Sequence, residues 1–302
     1  MPEHLSNQKL RRFASIVALA VALVLVAVKV WAWLATGSIS LLTSAADGLV
    51  DVVASLVTFA GVRYAGRPVD RGHRYGHGKA EAVAAFVQAL LLAGAAVVLG
   101  IQSFTRLLVP QPLTEIGFGL WVIIASSVAA SGLVAMQTYV VNRTGSTAIA
   151  ADRAHYMTDV AVNIAVLVAL VLERFLAWNR ADAIGALAIS CYMLWNAREM
   201  ALHALIQLLD RELDTSDRER IKSAVLGCEG VQAVHDIRTR NGGDRVFVEF
   251  HLEVDGAMSV EKGHSIGDRA EDAVRSIFQA ADVVAHLEPA GIDDRRLDDL
   301  IK

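Results

Sequence analysis

A chain of 302 residues, 54% of them hydrophobic and only 20% charged, is too apolar for a wholly soluble globular protein. A net charge of −4, with no basic tail and no interleaving of aromatic and basic residues, gives no reason to expect nucleic acid as a partner. Cys191 and Cys228 form no spaced set, so neither a disulfide framework nor a CxxC metal clamp is expected, and the soluble part belongs in a reducing compartment.

The polar start, MPEHLSNQKLRR, runs into an apolar stretch too long for the core of a signal peptide and without a clear A-x-A cleavage site, so it reads as a retained first span. Apolar segments follow near 13–34, 39–62, 82–108, 117–140, 147–172 and 182–203, which predicts six transmembrane helices. Lys9, Arg11 and Arg12 precede the first, Arg63, Arg67, Arg71, Arg74 and Lys79 join the second to the third, and Arg143 and Arg153 flank the fourth-to-fifth turn. By the positive-inside rule these ends, and both termini, are cytoplasmic, although Arg174 and Arg180 weaken the pattern between spans five and six.

Spans two and five each carry a pair of ionisable residues that hydrocarbon makes costly: Asp47 with Asp51, and His155 with Asp159. Both pairs are spaced i, i+4, which puts each on one helical face with Cβ atoms about 5–6 Å apart. Counting along two antiparallel spans at about 1.5 Å per residue, both pairs lie roughly 12–18 Å from a boundary of a core ~30 Å thick. They converge near the midplane, where three carboxylates and an imidazole make a four-ligand site for a divalent cation: Zn²⁺, or less selectively Cd²⁺, Co²⁺ or Fe²⁺. Between spans two and three, PVDRGHRYGHGKAE holds Asp70, His73 and His77; on spacing alone it reads equally as an ion site or as a solvated Gly-rich turn.

After about Ala204 the composition becomes that of a soluble domain. TSDRERIKSAVLGCEG predicts an amphipathic helix with Thr215 or Ser216 as N-cap. VQAVHDIRTR and RVFVEFHLEV read as strands joined at Asn241-Gly242-Gly243, a hairpin signal. In the second strand Val246, Val248, Phe250, Leu252 and Val254 form the buried face, and Glu249, His251 and Glu253 point the other way. A helix over 259–280 and a strand VVAHLEP complete α-β-β-α-β. His235, His251, His264, His286 and Glu288 are dispersed; each reads singly as a surface residue, while the polar face of the sheet offers a place for a second metal centre. The expected divisions are 1–208 for the helical bundle, 209–292 for the α+β domain and 293–302 for a charged tail.

SLLTSAADGLVD with Asp47 and Asp51, HYMTD with His155 and Asp159, and GHRYGHGKAE with His73 and His77, together with the C-terminal domain, closely resemble the cation diffusion facilitator family, in its bacterial zinc and ferrous-iron efflux subgroup. The resemblance covers almost the whole chain. It implies a ferredoxin-like cytoplasmic domain and a homodimer of six-span protomers in a bacterial inner membrane, exchanging cytoplasmic Zn²⁺ for external protons. By motif, Asp47, Asp51, His155 and Asp159 would bind the transported ion and Asp70, His73 and His77 a loop ion. His235, His251, His264 and His286 would bind a binuclear cytoplasmic site, with Glu288 where the subgroup has Asp. Lys79 and Asp210 would form a charge pair between the two domains.

Three other readings compete. An intramembrane metalloprotease needs H-E-x-x-H, but Tyr156, Met157 and Thr158 follow His155, so the general base is missing and no enzyme is expected. A membrane-anchored metal receptor needs no ligands at the midplane. A monovalent cation/proton antiporter does not require an imidazole.

Overall fold

The computed structural model describes residues 2–37, 39–109, 117–176, 180–278, 280–291 and 296. The connection PQPLTE and, apart from Arg296, the tail 293–302 lie outside the described residues. The chain divides into two compact units: Met1–Pro68 with Ala80–Leu205, and Val69–Lys79 with Ile206–Lys302.

The first unit is built from six long helices: α1 (Pro2–Thr36), α2 (Ile39–Ala65), α3 (Ala80–Leu108), α4 (Gly117–Thr144), α5 (Thr147–Leu176) and α6 (Ala181–Leu208). Among the described residues, parts of α1 to α4 are long and apolar enough to cross a membrane by length and composition. Large apolar side chains such as Trp31, Ile101, Val128 and Trp195 point outward, while the buried positions carry many small residues, including Ala14, Ala18, Ala54, Ala85 and Ala96. Water would penalise that inversion, whereas lipid accepts it and lets small residues bring helix backbones close. Gly61 of α2 shows the closeness, because a Cβ there would press on Ala84 of α3.

The first helix begins earlier than the apolar pattern predicts, because its polar turns have partners. Gln8 and Arg12 donate to the Gly66 carbonyl just past α2. Arg11 pairs with Glu81 of α3 at 3.0 Å and donates to the Thr144 carbonyl ending α4, while Ser146 donates to the other oxygen of Glu81. This buried ion pair ties α1, α3 and the α4–α5 turn together at one end of the bundle.

The second unit is α7 (Thr215–Leu226), β1 (Ala233–Asn241), β2 (Val246–Val254), α8 (Val260–Arg275) and β3 (Ala281–Pro289), the expected α-β-β-α-β order. The sheet runs β1-β2-β3, with β1 antiparallel and β3 parallel to β2. Ile221 and Val225 of α7 and Ile266, Ala270 and Val274 of α8 cover Val248, Phe250, Leu252 and Val254 on one sheet face. Two boundaries differ from the sequence reading. The N-cap of α7 is Asp214, whose extended backbone leaves its carbonyl to accept from Asp217 and Arg218. Helix α8 stops at Arg275, because Ile277 and Phe278 turn in to pack on the core and Ala280 already bonds to Val246.

Residues 69–79 group with this unit through close backbone approach. A Cβ on Gly78 would collide with the Gly242 carbonyl of the β1–β2 turn. Tyr75 meets Phe247 edge-on at 5.4 Å between ring centroids, and Arg240 lies over both rings.

Candidate functional site

Helices α2 and α5 pack together and bring Asp51, His155 and Asp159 into one group. His155 is buried and its Nε2 lies 3.0 Å from Asp51 Oδ1 and 3.8 Å from Asp159 Oδ2. One ligand atom from each falls within 4.8 Å of the others, a span that a single cation can bridge. Asp47, one turn before Asp51, is exposed and outside this trio. Lys29 of α1, unremarked in the sequence, is close enough for its charge to act on both Asp47 and Asp159.

Around the trio is a second polar layer that sequence reasoning also missed. Asp152, one turn before His155 and wholly buried, accepts from Gln88 of α3 and Gln137 of α4. Ser55, one turn after Asp51, lies 2.8 Å from the Tyr156 hydroxyl. The signal was present: Asp152, His155 and Asp159 stand at i, i+3 and i+7, all on one helical face. Arg153 beside Asp152 had made that turn look interfacial.

Asp70, His73 and His77 also meet. Asp70 Oδ1 accepts from the backbone of Gly72 at 2.8 Å and His73 at 2.7 Å, and its carboxylate reaches His73 Nδ1 at 3.2 Å and His77 Nε2 at 3.3 Å. The bond from the His73 backbone is the largest influence holding this exposed carboxyl below its usual range, so it stays ionised and ready for a cation. The stacking of turn and side-chain contacts makes a formed cluster rather than a loose loop.

On the α+β unit, register does what spacing could not show. His235 pairs with His251 across β1–β2, and His251 with His286 across β2–β3, so three imidazoles stand in a row on the face opposite the core. Glu288 reaches His235 Nε2 at 3.3 Å, His251 Nδ1 at 2.6 Å and His286 Nε2 at 3.6 Å. His235, His251 and Glu288 form the compact group, and Glu253, buried and 3.3 Å from His235 Nδ1, stands beside it. Both ring nitrogens of His235 are buried without hydrogen-bond geometry, which costs free energy unless a further partner completes them. That donor set of imidazoles and carboxylates fits a resident Zn²⁺. His264 is not brought in: it is 75% exposed and 3.7 Å from Asp268, a turn away on α8.

Lys79 and Asp210 form an ion pair at 2.8 Å, with Arg240 at 3.6 Å from the second oxygen. Asp210 adopts a positive φ of 55° directly after α6, so this carboxylate sits where the chain leaves the helix.

The cation efflux transmembrane domain family matches residues 15–209, and the cation efflux protein cytoplasmic domain family matches 213–290. The cation-efflux pump FieF of Escherichia coli O139:H28 (strain E24377A / ETEC) is 39% identical over 282 residues, covering 93% of this chain and 94% of its own. FieF of Escherichia coli (strain K12 / DH10B) aligns with the same figures. The solved structure described as the putative zinc transporter CzrB in its Zn form is 36% identical over 28% of this chain and 99% of its own, with a TM-score of 0.26. With both family matches adjoining and the FieF alignment nearly end to end, the chain belongs to the cation efflux (cation diffusion facilitator) family of membrane transporters.

Proposed function

We propose that this transporter exports divalent metal ions, Zn²⁺ foremost, from the cytoplasm in exchange for protons, by alternating access to Asp51, His155 and Asp159. The observation that carries this reading is the convergence of those three groups between two apolar helices. Asp47 supplies the fourth ligand by turning in from the next turn of α2, completing the tetrahedral set zinc prefers. Metal binding needs deprotonated ligands, so loading displaces protons and unloading takes them up. A metal-filled or protonated site is also cheaper to carry through hydrocarbon than bare carboxylates, which couples the two fluxes.

The protein acts as a homodimer in a bacterial cytoplasmic membrane with both termini inside, residues 1–208 forming the membrane domain and 209–292 the cytoplasmic one. His235, His251, His286, Glu288 and, by family motif, His264 hold regulatory Zn²⁺ there. Asp70, His73 and His77 hold a further ion, and Lys79–Asp210 acts as the pivot. The test is Zn²⁺ uptake into inverted vesicles under an imposed pH gradient. Asp51→Ala and Asp159→Ala are expected to abolish it; full activity in either refutes the assignment.

A further inference from the structure

Asp152 is the most deeply buried carboxylate among the described residues, yet it binds nothing in the transport cycle above. Its oxygens accept from Gln137 Nε2 at 2.6 Å and Ser55 Oγ at 3.5 Å, and Gln88 Nε2 stands at 3.1 Å while also reaching Thr58 Oγ1 at 2.7 Å and the Ala54 carbonyl at 2.9 Å, so that its two hydrogens are shared among three acceptors. All three donors to Asp152 are neutral, and both amides present their NH₂ groups while Gln88 Oε1 and Gln137 Oε1 stay buried without a hydrogen bond. A protonated acid would have an O–H to give and two bare acceptors beside it. A cage made only of donors is instead the surrounding of a carboxylate anion.

An anion in this position is costly unless it does something. His155 Nδ1 is buried with no hydrogen bond, while its Nε2 is engaged by Asp51. A metal-binding imidazole is normally oriented by a partner on its second nitrogen, and Asp152 is the acid one turn away on the same helical face. Ser55 repeats the arrangement on α2: it stands one turn from Asp51 and touches both Asp152 and Tyr156. Asp51–His155 and Ser55–Asp152 are therefore successive rungs between the same two helices.

We propose that Asp152 is a positioning residue for the transport site: an anion, held by Gln137, Gln88 and Ser55, that takes up the open second nitrogen of the His155 imidazole when a cation is bound and so strengthens cation binding without touching the cargo. The proposal rests on the reading of Asp51, His155 and Asp159 as the transport site. Asp152→Asn keeps the side-chain shape, and an overturned Gln137 amide can accept from the new NH₂ while Gln88, fixed by the Ala54 carbonyl, still donates to the remaining oxygen, so that charge is the main thing removed.

The experiment is Zn²⁺ uptake by the full-length protein in proteoliposomes, measured across Zn²⁺ concentrations. For Asp152→Asn the half-saturating Zn²⁺ is expected to rise about tenfold, the lower end of what losing such a partner costs in metal affinity, with a near wild-type maximal rate. A curve superimposed on wild type overturns the proposal, as does a lower maximal rate at unchanged half-saturation, the mark of a purely packing role. Should Asp152→Asn fail to fold, Gln137→Leu decides: a rise in half-saturating Zn²⁺ supports the proposal and an unchanged curve overturns it. Asp51→Ala, run alongside, separates the two claims, because wild-type transport by that variant sinks the site itself whatever Asp152 does.

Discussion

Two of the candidate metal-binding regions are assembled by opposite means. Between α2 and α5 the chelating groups arrive as neighbours on single helices, and a fully buried layer of Ser55, Gln88, Gln137, Asp152 and Tyr156 backs them. On the α+β unit His235, His251, His286 and Glu288 come from three strands and are aligned only by sheet register. On the function proposed above, the site that must release its ion on every cycle is the one on helices. The site proposed to retain its ion is the one whose His235, His251, His286 and Glu288 are fixed by the backbone bonds of a sheet.

That contrast can be broken by substitution, and the largest effects belong to the helices. His155→Ala is expected to abolish Zn²⁺ flux while leaving Zn²⁺ bound at the histidine row, read by equilibrium dialysis of the purified protein. Next comes the core beneath the sheet. Phe250 is about wholly buried against α7 and α8, so Phe250→Ala should cost about 3–5 kcal/mol and show as a lowered thermal transition of the full chain. Flux surviving at moderate temperature would confirm that the sheet is not itself the carrier.

A smaller effect is expected at Gly78, where an added methyl meets the backbone of the β1–β2 turn rather than a side chain that can yield. Gly78→Ala should destabilise by about 1–3 kcal/mol and loosen the Asp70, His73, His77 turn, detected as faster amide exchange over 69–79. The smallest effect sharpens the family assignment. His264 is exposed and distant from the row, whereas His251 is bonded to Glu288. Without rearrangement of α8 on dimerisation, His264→Ala should leave Zn²⁺ stoichiometry unchanged and His251→Ala should lower it; equal losses would show that the partner subunit or the metal draws His264 in.

What could be read from the amino acids divides along the same line. Six helices, the α-β-β-α-β order and the i, i+4 pairs are local patterns, and a helical face follows from spacing alone. The alternation in β2 likewise gives Val248, Phe250 and Leu252 as core. Alternation also put Glu253 on the other face, where it lies beside His235, but could not show that His235 and Arg296 bury it there through contacts distant in sequence. The bulge between His235 and Arg238, where Asp236 takes a positive φ, shifts β1 by an amount no periodicity announces. Asp152 escaped because Arg153 beside it marks the turn as a flank of the span, and because hydropathy does not register the donors of α2, α3 and α4 that gather around a buried acid.

The central claim is that one travelling ion is held by side chains of α2 and α5 together. Anomalous diffraction at the zinc edge from Zn²⁺-loaded crystals tests it directly. The expected result is a peak about 2.0–2.2 Å from a His155 ring nitrogen and from carboxylate oxygens of Asp51 and Asp159, lost in Asp51→Ala. Zinc peaks at the histidine row and the loop alone, with none between α2 and α5 in a transporting protein, would contradict it.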